Sequence, residues 1–308
     1  MASLESGTAV VVGAGTMGTD IAAIFLAGGW ATHLVESDAL RWDAAKARIA
    51  RSVGQLSCAG QNRAPEFHRT LSELAWRPVD LVVECVPEQL ALKQSVFAAI
   101  EGVAPEAIPL ASNSSSFPIS QIGAGLRTRS RMLGLHFFMP AHLVPAVEVV
   151  RGEATDAAMC EKCSQLMKAL GKVPVNVKKD VPGFLANRLQ HALAREAFAL
   201  IDQGFASPED VDAAVKYGFG FRFLAAGPVL QKDISGIDIH CAAAATMYPH
   251  LANDTGPARV LREKVESGKL GMKTLEGFYR WTPESAEKEK ERYEKALLQA
   301  LAILKQTG

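Results

Sequence analysis

The sequence lacks the features that would point to a membrane, to nucleic acid or to secretion. No apolar run approaches the ~20 residues that a membrane-spanning helix needs. Lys plus Arg and Asp plus Glu are equal at 33 each, so no net charge attracts the chain to nucleic acid or to an anionic membrane surface. We also expect no secretory signal peptide. The sequence therefore predicts a small-molecule partner, no nucleic acid and no membrane.

Cysteine is scarce and irregularly placed. The five cysteines are odd in number and have no regular spacing, which favours free thiols in a reducing cytoplasm over a disulfide framework. Cys160 and Cys163 form a single CxxC inside a helical stretch, and we interpret this pair as structural. The 308 residues, 48% of them apolar, suffice for roughly two domains with a sizeable core.

A strand, a glycine-rich turn and a helix open the chain. The β-branched run 8–12 is followed by Gly13, Gly15 and Gly18, and then by a helical pattern that ends at Gly28. In this context GxGxxG is typical of dinucleotide binding. The first glycine permits the tight turn, the second admits a pyrophosphate, and the third allows close packing of a helix whose N-terminus faces the phosphates.

An acidic residue ends the next strand. The run 31–36 ends at Glu36. A carboxylate at this position would accept hydrogen bonds from the ribose hydroxyls and would repel a 2′-phosphate. We therefore expect NAD rather than NADP. Arg41 is near enough in sequence to keep NADP open as the alternative.

Strand and helix patterns continue to alternate through residues 79–112. This alternation predicts an α/β fold with a doubly wound, Rossmann-type parallel sheet. The cluster SNSSS at 112–116 directly follows a buried strand. It is either the cap of a helix that begins near Pro118 or, because ligands bind beyond the carboxyl ends of such strands, part of the site.

Two titratable residues lie on consecutive apolar strands. His136 ends one strand and Glu148 lies in the next, with Pro140 and Pro145 bracketing the connection. If the strands pair as an antiparallel ribbon, the two side chains meet. A carboxylate on one ring nitrogen would fix the imidazole tautomer and stabilise the imidazolium, which is acid–base machinery for an alcohol or a carbonyl.

Five motifs resemble, in order and spacing, those of the L-3-hydroxyacyl-CoA dehydrogenases. They are GxGxxG at 13–18, VVECVPEQLALK at 82–93, SNSSS at 112–116, HFFMP with VEVV over 136–150, and KDVPGFLANRL at 179–189. The resemblance covers nearly the whole chain. It implies a Rossmann-type NAD-binding domain at 1–181, a smaller all-α domain at 182–308, and a homodimer.

The resemblance implies a role for each matching residue. His136 would be the general base, Glu148 would orient it, and Ser115 and Asn187 would hold the reacting oxygen of the substrate. In oxidation, His136 would take the hydroxyl proton while hydride passes to NAD. We predict no metal site. The predicted cofactor-binding residues are Gly13, Gly15, Thr16, Met17, Gly18, Glu36, Glu88, Lys93 and Asn113.

The sequence also departs from the acyl-CoA pattern. The family usually reads HFFNP, whereas Met139 replaces the asparagine here, and segment 51–70 has no lysine to meet a CoA phosphate. PAHLVPAVEV and GFGFRFLAAGP are more similar to the lambda-crystallin branch, which includes L-gulonate 3-dehydrogenase and carnitine dehydrogenase, and to a pyridine-carboxylate alcohol dehydrogenase. We favour a small free hydroxy-carboxylate as substrate, with an acyl-CoA thioester as the alternative.

The second domain is predicted to be helical, with apolar residues at helical spacing over 184–204 and a cap at Ser207. Arg222 is the only charge in 217–228. It either reaches solvent or a protein carboxylate, or it grips a substrate carboxylate. An apolar stripe on the last helix packs either on its own domain or on a second copy; it comprises Tyr293, Leu297, Leu301 and Leu304.

Two further classes of function stay open from the sequence alone. A structural protein of the crystallin kind would keep the fold without needing the base. A cofactor-sensing module would need only the nucleotide site. The joint presence of His136, Glu148, Ser115 and Asn187 favours an enzyme over both.

Overall fold

The structure, a computed structural model, describes residues 6–56 and 64–307. Part of the lysine-free segment 51–70 therefore lies outside the described residues. By its contacts the chain divides into two compact units, Met1–Asn187 and Arg188–Gly308. This division falls six residues after the boundary of 181/182 that the motifs predict, which stays a prediction.

The first unit contains one eight-stranded sheet in the order β3-β2-β1-β4-β5-β6-β7-β8. All neighbouring strands are parallel except β6 and β7, which are antiparallel. The predicted α/β fold with a doubly wound sheet is confirmed. The strands are β1 Thr8–Val12, β2 Ala31–Val35, β3 Glu66–His68, β4 Leu81–Glu84, β5 Leu110–Ser112, β6 Met132–Phe137, β7 Ala146–Arg151 and β8 Val173–Val177.

Helices cover both faces of this sheet. Because both faces are covered, the central strands β4, β5 and β6 are buried along their whole length. Residues of α1, α2 and α5 form a core with one face, and residues of α3 and α4 form a second core with the other. The helices are α1 Thr16–Ala27, α2 Trp42–Gln55, α3 Leu90–Glu101, α4 Ile119–Ile122 and α5 Ala157–Ala169, with single 3₁₀ turns at Ala39–Arg41, Leu71–Glu73 and Arg129–Arg131.

The second unit is helical, as predicted. Ser207 Oγ accepts a hydrogen bond from Asp210 N at 3.1 Å, and Pro208 occupies the first turn, so the predicted cap is present. The helices are α6 Ala186–Asp202, which begins in the first unit, α7 Pro208–Ala213, α8 Gly220–Arg222, α9 Pro228–Ser235, α10 Ile237–Met247, α11 Arg259–Glu266 and α12 Pro283–Thr307, with a π-helical stretch Ala214–Phe219 and a 3₁₀ turn Tyr248–His250.

Over the described ranges, no helix is both long and apolar enough to cross a bilayer. Cys160 and Cys163 are free thiols on α5. Burial raises the pKa of Cys163 to about 12, so this thiol is not a nucleophile near neutral pH. Its packing in the core supports the structural interpretation of the CxxC.

Candidate active site

The glycine-rich turn between β1 and α1 has the backbone that the motif requires. Gly13 has φ +105°, a conformation that L side chains rarely adopt. A Cβ on Gly18 would lie 1.9 Å from Gly13 O, whereas a Cβ on Gly15 would meet nothing within 4 Å. Gly13 and Gly18 thus serve the turn and the helix packing, and open space beside Gly15 could admit a pyrophosphate.

Glu36 follows β2 and lies next to this turn. Its Oε2 accepts a hydrogen bond from Ala14 N at 3.2 Å, and its Oε1 accepts one from Asp38 N at 3.1 Å. Arg41 Nη1 lies 3.2 Å from Glu36 Oε2. The arginine that kept NADP open is therefore paired with the carboxylate rather than free for a phosphate. Thr16 is exposed and Met17 is half-buried at the start of α1.

A buried ion pair that the sequence analysis missed lies at the ends of β4 and β5. Lys93 on α3 is 1% exposed, and its Nζ lies 2.9 Å from Oε1 of the fully buried Glu84. Ser112 Oγ donates to Glu84 Oε2 at 2.7 Å, and Val86 N donates to Oε1 at 2.7 Å. This network joins three elements below the serine cluster. The only signal for it was an acidic residue within an apolar run, nine positions before a lysine.

Glu88 organises the serine loop. Its Oε1 accepts hydrogen bonds from Ser114 Oγ at 2.6 Å, from Ser115 N at 3.1 Å and from Ser116 N at 2.9 Å. Lys93 Nζ lies 3.2 Å from its Oε2. Burial alone would raise the pKa of Glu88, but the Ser114 hydrogen bond and the charge of Lys93 outweigh it, so the pKa is lowered. Glu88 is therefore an ionised anchor that fixes the loop.

Two serines of the cluster have different partners. Ser114 Oγ accepts a hydrogen bond from Phe117 N at 3.1 Å, ahead of α4. Ser115 Oγ instead lies 3.1 Å from His136 Nε2. The N-cap of α4 is Pro118, without a side-chain capping bond, so the serines do not cap that helix, and the role of the cluster in the site stays a prediction.

His136 and Glu148 are directly paired across the antiparallel strands β6 and β7. His136 Nδ1 lies 2.7 Å from Glu148 Oε2, and both side chains are buried. The predicted ribbon and the meeting of the two side chains are confirmed. Burial alone would raise the pKa of Glu148, but hydrogen bonds from His136 and from Ala186 N outweigh it, so the pKa is lowered. An ionised carboxylate can only accept, so Nδ1 of His136 is the donor in this pair, and Nε2 lies toward Ser115.

The start of α6 holds the other oxygen of Glu148. Leu185 N and Ala186 N donate to Glu148 Oε1 at 3.0 and 2.8 Å. These are orphan N–H groups of a helix N-terminus, where a carboxylate is stabilised. The sequence analysis missed both donors, because backbone groups leave no residue signature.

Two asparagines complete the cluster. Asn187, in the first turn of α6, donates from Nδ2 to Ser115 O at 3.3 Å. Asn113 Oδ1 accepts from Phe137 N at 2.9 Å and so ties the end of β5 to β6. Met139 is 68% exposed, and both ring nitrogens of His136 have partners without an amide at position 139.

The structure thus brings together in the first unit all the predicted site residues except Arg222. Arg222 ends α8 in the second unit, where it is exposed. Within the described part of the chain its side chain forms no hydrogen bond or ion pair.

Comparisons with known proteins identify the family. The model of the 3-hydroxyacyl-CoA dehydrogenase NAD-binding domain matches residues 8–181, and that of the C-terminal domain matches residues 183–281. The 5-formyl-3-hydroxy-2-methylpyridine 4-carboxylate 5-dehydrogenase of Mesorhizobium japonicum is 34% identical over 283 residues, which cover 89% of this chain and 90% of the relative. The human lambda-crystallin homolog is 30% identical over 280 residues, which cover 86% and 88%.

Solved structures agree with this assignment. A crystal structure of a 5-formyl-3-hydroxy-2-methylpyridine 4-carboxylic acid 5-dehydrogenase, described as an NAD⁺-dependent dismutase, has a TM-score of 0.91 at 30% identity and covers 97% of this chain and 98% of its own. The (S)-3-hydroxybutyryl-CoA dehydrogenase PaaH1 of Ralstonia eutropha has a TM-score of 0.72 at 30% identity, with coverage of 89% and 99%. The chain therefore belongs to the 3-hydroxyacyl-CoA dehydrogenase family and is an NAD-dependent dehydrogenase that acts on CH–OH groups.

Proposed function

We propose that this dehydrogenase interconverts a primary or secondary alcohol and its carbonyl on a small free hydroxy-carboxylate, with His136 as general base. The observation that carries the proposal is the buried contact of 2.7 Å between His136 Nδ1 and Glu148 Oε2. It holds the proton on Nδ1 and leaves Nε2 as the basic atom. An imidazole fixed in this way accepts a proton at Nε2 without changing its orientation.

In the proposed oxidation, Nε2 of His136 takes the proton of the substrate hydroxyl, and Glu148 stabilises the imidazolium that forms. Bound NAD supplies the hydride acceptor. Ser115, whose Oγ lies 3.1 Å from Nε2, and Asn187, whose amide contacts the Ser115 backbone, orient the reacting oxygen. In the reverse direction His136 returns the proton. Placement by these polar groups matters because a shift of ~1 Å can cost about 100-fold in rate.

The residues present fit a dinucleotide. Open space beside Gly15 would take the pyrophosphate, and Glu36 would accept hydrogen bonds from the adenosine ribose. Glu88 and Lys93 act on the cofactor site indirectly, since both side chains are bonded to the protein around the serine loop.

Replacing Glu36 with Ala should weaken NAD binding by about 10- to 100-fold, the range for a lost hydrogen bond to a charged group. The change also releases Arg41 toward a 2′-phosphate, so the preference for NAD over NADP should fall. The measurement is kcat/KM with both cofactors. Asp43→Ala, which removes a carboxylate that is 97% exposed, is the control and should keep the preference. Equal efficiency with NAD and NADP in the unmodified enzyme would contradict this role of Glu36.

The carboxylate part of the proposal depends on Arg222. Its guanidinium is exposed and has no partner among the described residues, so it is available to a bidentate anion. The relative from Mesorhizobium japonicum is named for a pyridine carboxylate, and a solved structure with the same enzyme description matches nearly the whole chain. Both points support a small acid as substrate.

Replacing Arg222 with Met should raise KM for a free hydroxy acid by about 10- to 100-fold, because a charge-assisted hydrogen bond is lost. The Kd for NAD should stay the same, and Lys should restore only part of the loss. Steady-state kinetics and NADH fluorescence measure the two quantities. Arg262→Met, at another exposed arginine of the second unit, is the control. An unchanged KM in Arg222→Met would remove this residue from the substrate site.

The acyl-CoA reaction is the second candidate, because the matched family model carries that description and PaaH1 is similar to this chain. A screen of NADH formation should compare free 3-hydroxy acids, pyridine alcohols and aldehydes, and 3-hydroxyacyl-CoA thioesters. We expect kcat/KM to be highest for a free acid. Turnover of thioesters alone would overturn our choice of substrate while leaving the role of His136 intact.

We also propose that the chain is a homodimer. Among the described residues of the second unit, the only buried hydrophobic side chains are Ala199 and Ala286, which is too little for a core. The stripe on α12 remains partly open, with Tyr293 50% exposed. A second copy would cover this apolar surface. Sedimentation equilibrium should give the mass of two chains, and a monomer at micromolar concentration would refute the proposal.

A further inference from the structure

Two histidines and a glutamate that have no role in the site described above converge on one edge of the sheet. The parallel pairing of β2 with β3 places His33 opposite Glu66 and Val35 opposite His68. Side chains alternate along a strand, so His33, Glu66 and His68 lie on the same face. His33 Nδ1 lies 3.0 Å from His68 Nε2 and 3.5 Å from Glu66 Oε2.

We propose that His33, Glu66 and His68 form a binding site for a divalent transition-metal ion of the zinc class. One ligand atom from each residue lies within 4.8 Å of the other two. Zinc takes nitrogen and oxygen ligands at roughly 2.0–2.2 Å, which places neighbouring ligands of a tetrahedral ion about 3.3 Å apart. The distances from His33 Nδ1 to His68 Nε2 and to Glu66 Oε2, 3.0 and 3.5 Å, lie on either side of this value. Small side-chain rotations would therefore bring these ligand atoms to the separation that zinc requires. Three protein ligands leave the fourth position for water.

The chemistry of the donors selects the ion. Imidazole nitrogens suit zinc, nickel and copper, whereas magnesium and calcium prefer sites built from oxygen. His33 is half-buried and Glu66 is 73% exposed, so the site is walled on the protein side and open to solvent on the other.

The position of the cluster gives a bound ion a structural effect. β3 has only three residues and is the edge strand of the sheet. His68 O accepts a hydrogen bond from Glu36 N at 2.9 Å, so the metal ligands are next to the carboxylate assigned to the ribose. An ion would cross-link the edge strand to β2 at this point. The proposed metal site takes no part in the dehydrogenase reaction.

The test is zinc binding by tag-free, metal-stripped protein. Calorimetry with Zn²⁺ should detect one site that His68→Ala weakens by at least about tenfold, because even changes outside the ligand shell cost 10- to 100-fold in affinity. Free zinc at ~100 times Kd should raise the Tm by on the order of 5 °C, whereas Mg²⁺ should have no effect. Glu66→Gln changes an exposed side chain, so it tests the site without threatening the fold.

His250→Ala, at an exposed histidine of the second unit, is the matched control and should bind zinc like the unmodified protein. All variants keep the same cysteines, so a difference between them reports the cluster rather than the thiols. Anomalous scattering from crystals soaked in Zn²⁺ should give a peak between the three side chains. Equal zinc affinity in His68→Ala, or no binding to the unmodified protein, would show that the edge carries an ordinary histidine hydrogen bond.

Discussion

Replacing His136 with Gln should lower kcat by roughly 100-fold to 10,000-fold, the usual range for general acid–base catalysis. Glutamine fills similar space and can hydrogen-bond to Glu148, but it cannot take a proton near neutral pH. NAD affinity should be nearly unchanged, because among the described residues the hydrogen bonds and ring contacts of His136 involve neither the glycine-rich turn nor Glu36. Steady-state turnover and NADH titration measure both effects.

His250→Gln is the control for this substitution, since that histidine is exposed in the second unit and has no assigned role. Near-normal turnover in His136→Gln would show that another group is the base. A loss of NAD affinity equal to the loss of turnover would instead indicate collapse of the domain, which circular dichroism would detect.

Replacing Glu148 with Gln tests the pairing of His136 with Glu148 while the proposed base, His136, stays in place. Without the carboxylate, the imidazolium loses its compensating charge, so the limb of the pH–rate profile that reports protonation of the base should move to lower pH. Turnover at neutral pH should also fall, because an amide does not select the Nδ1–H tautomer. An identical pH profile would break the proposed link between the two side chains.

Much of this site could be predicted because its residues follow regular strand geometry. The glycine spacing fixed the turn, and the short connection between two apolar strands made antiparallel pairing the simplest arrangement for His136 and Glu148. The carboxyl ends of parallel strands share one edge, which placed the serine cluster there. In each case a local rule determined which side chains meet.

Other parts depend on contacts that no local rule encodes. Glu84 lies within an apolar run, and only the folded sheet shows that it, Lys93 and Ser112 converge. The N–H groups at 185 and 186 reach Glu148 from 37 and 38 residues away. The edge cluster of His33, Glu66 and His68 joins two strands separated by residues 36–65 of the chain, so strand register rather than sequence spacing creates it.

The buried ion pair makes a second large effect testable. Replacing Lys93 with Met should destabilise the protein by about 3–5 kcal/mol, because Glu84 would remain buried without its partner. This loss corresponds to a fall in Tm of about 10 °C. Lys93 also contacts Glu88, so the serine loop should loosen and kcat should fall as well. Differential scanning calorimetry and activity assays measure the two changes.

A surface lysine gives the matched control. Lys46 pairs with Asp43 at 3.3 Å, but both side chains are largely exposed; Lys46→Met should therefore cost at most about 1 kcal/mol. The sharper comparison adds Glu84→Gln to Lys93→Met. Because the second change removes the uncompensated buried charge, the double variant should be more stable than Lys93→Met alone, although it carries one more substitution. If the two losses simply added, the energetic coupling of Glu84 and Lys93 would be refuted, and the destabilisation of Lys93→Met would instead reflect lost packing of the lysine stem.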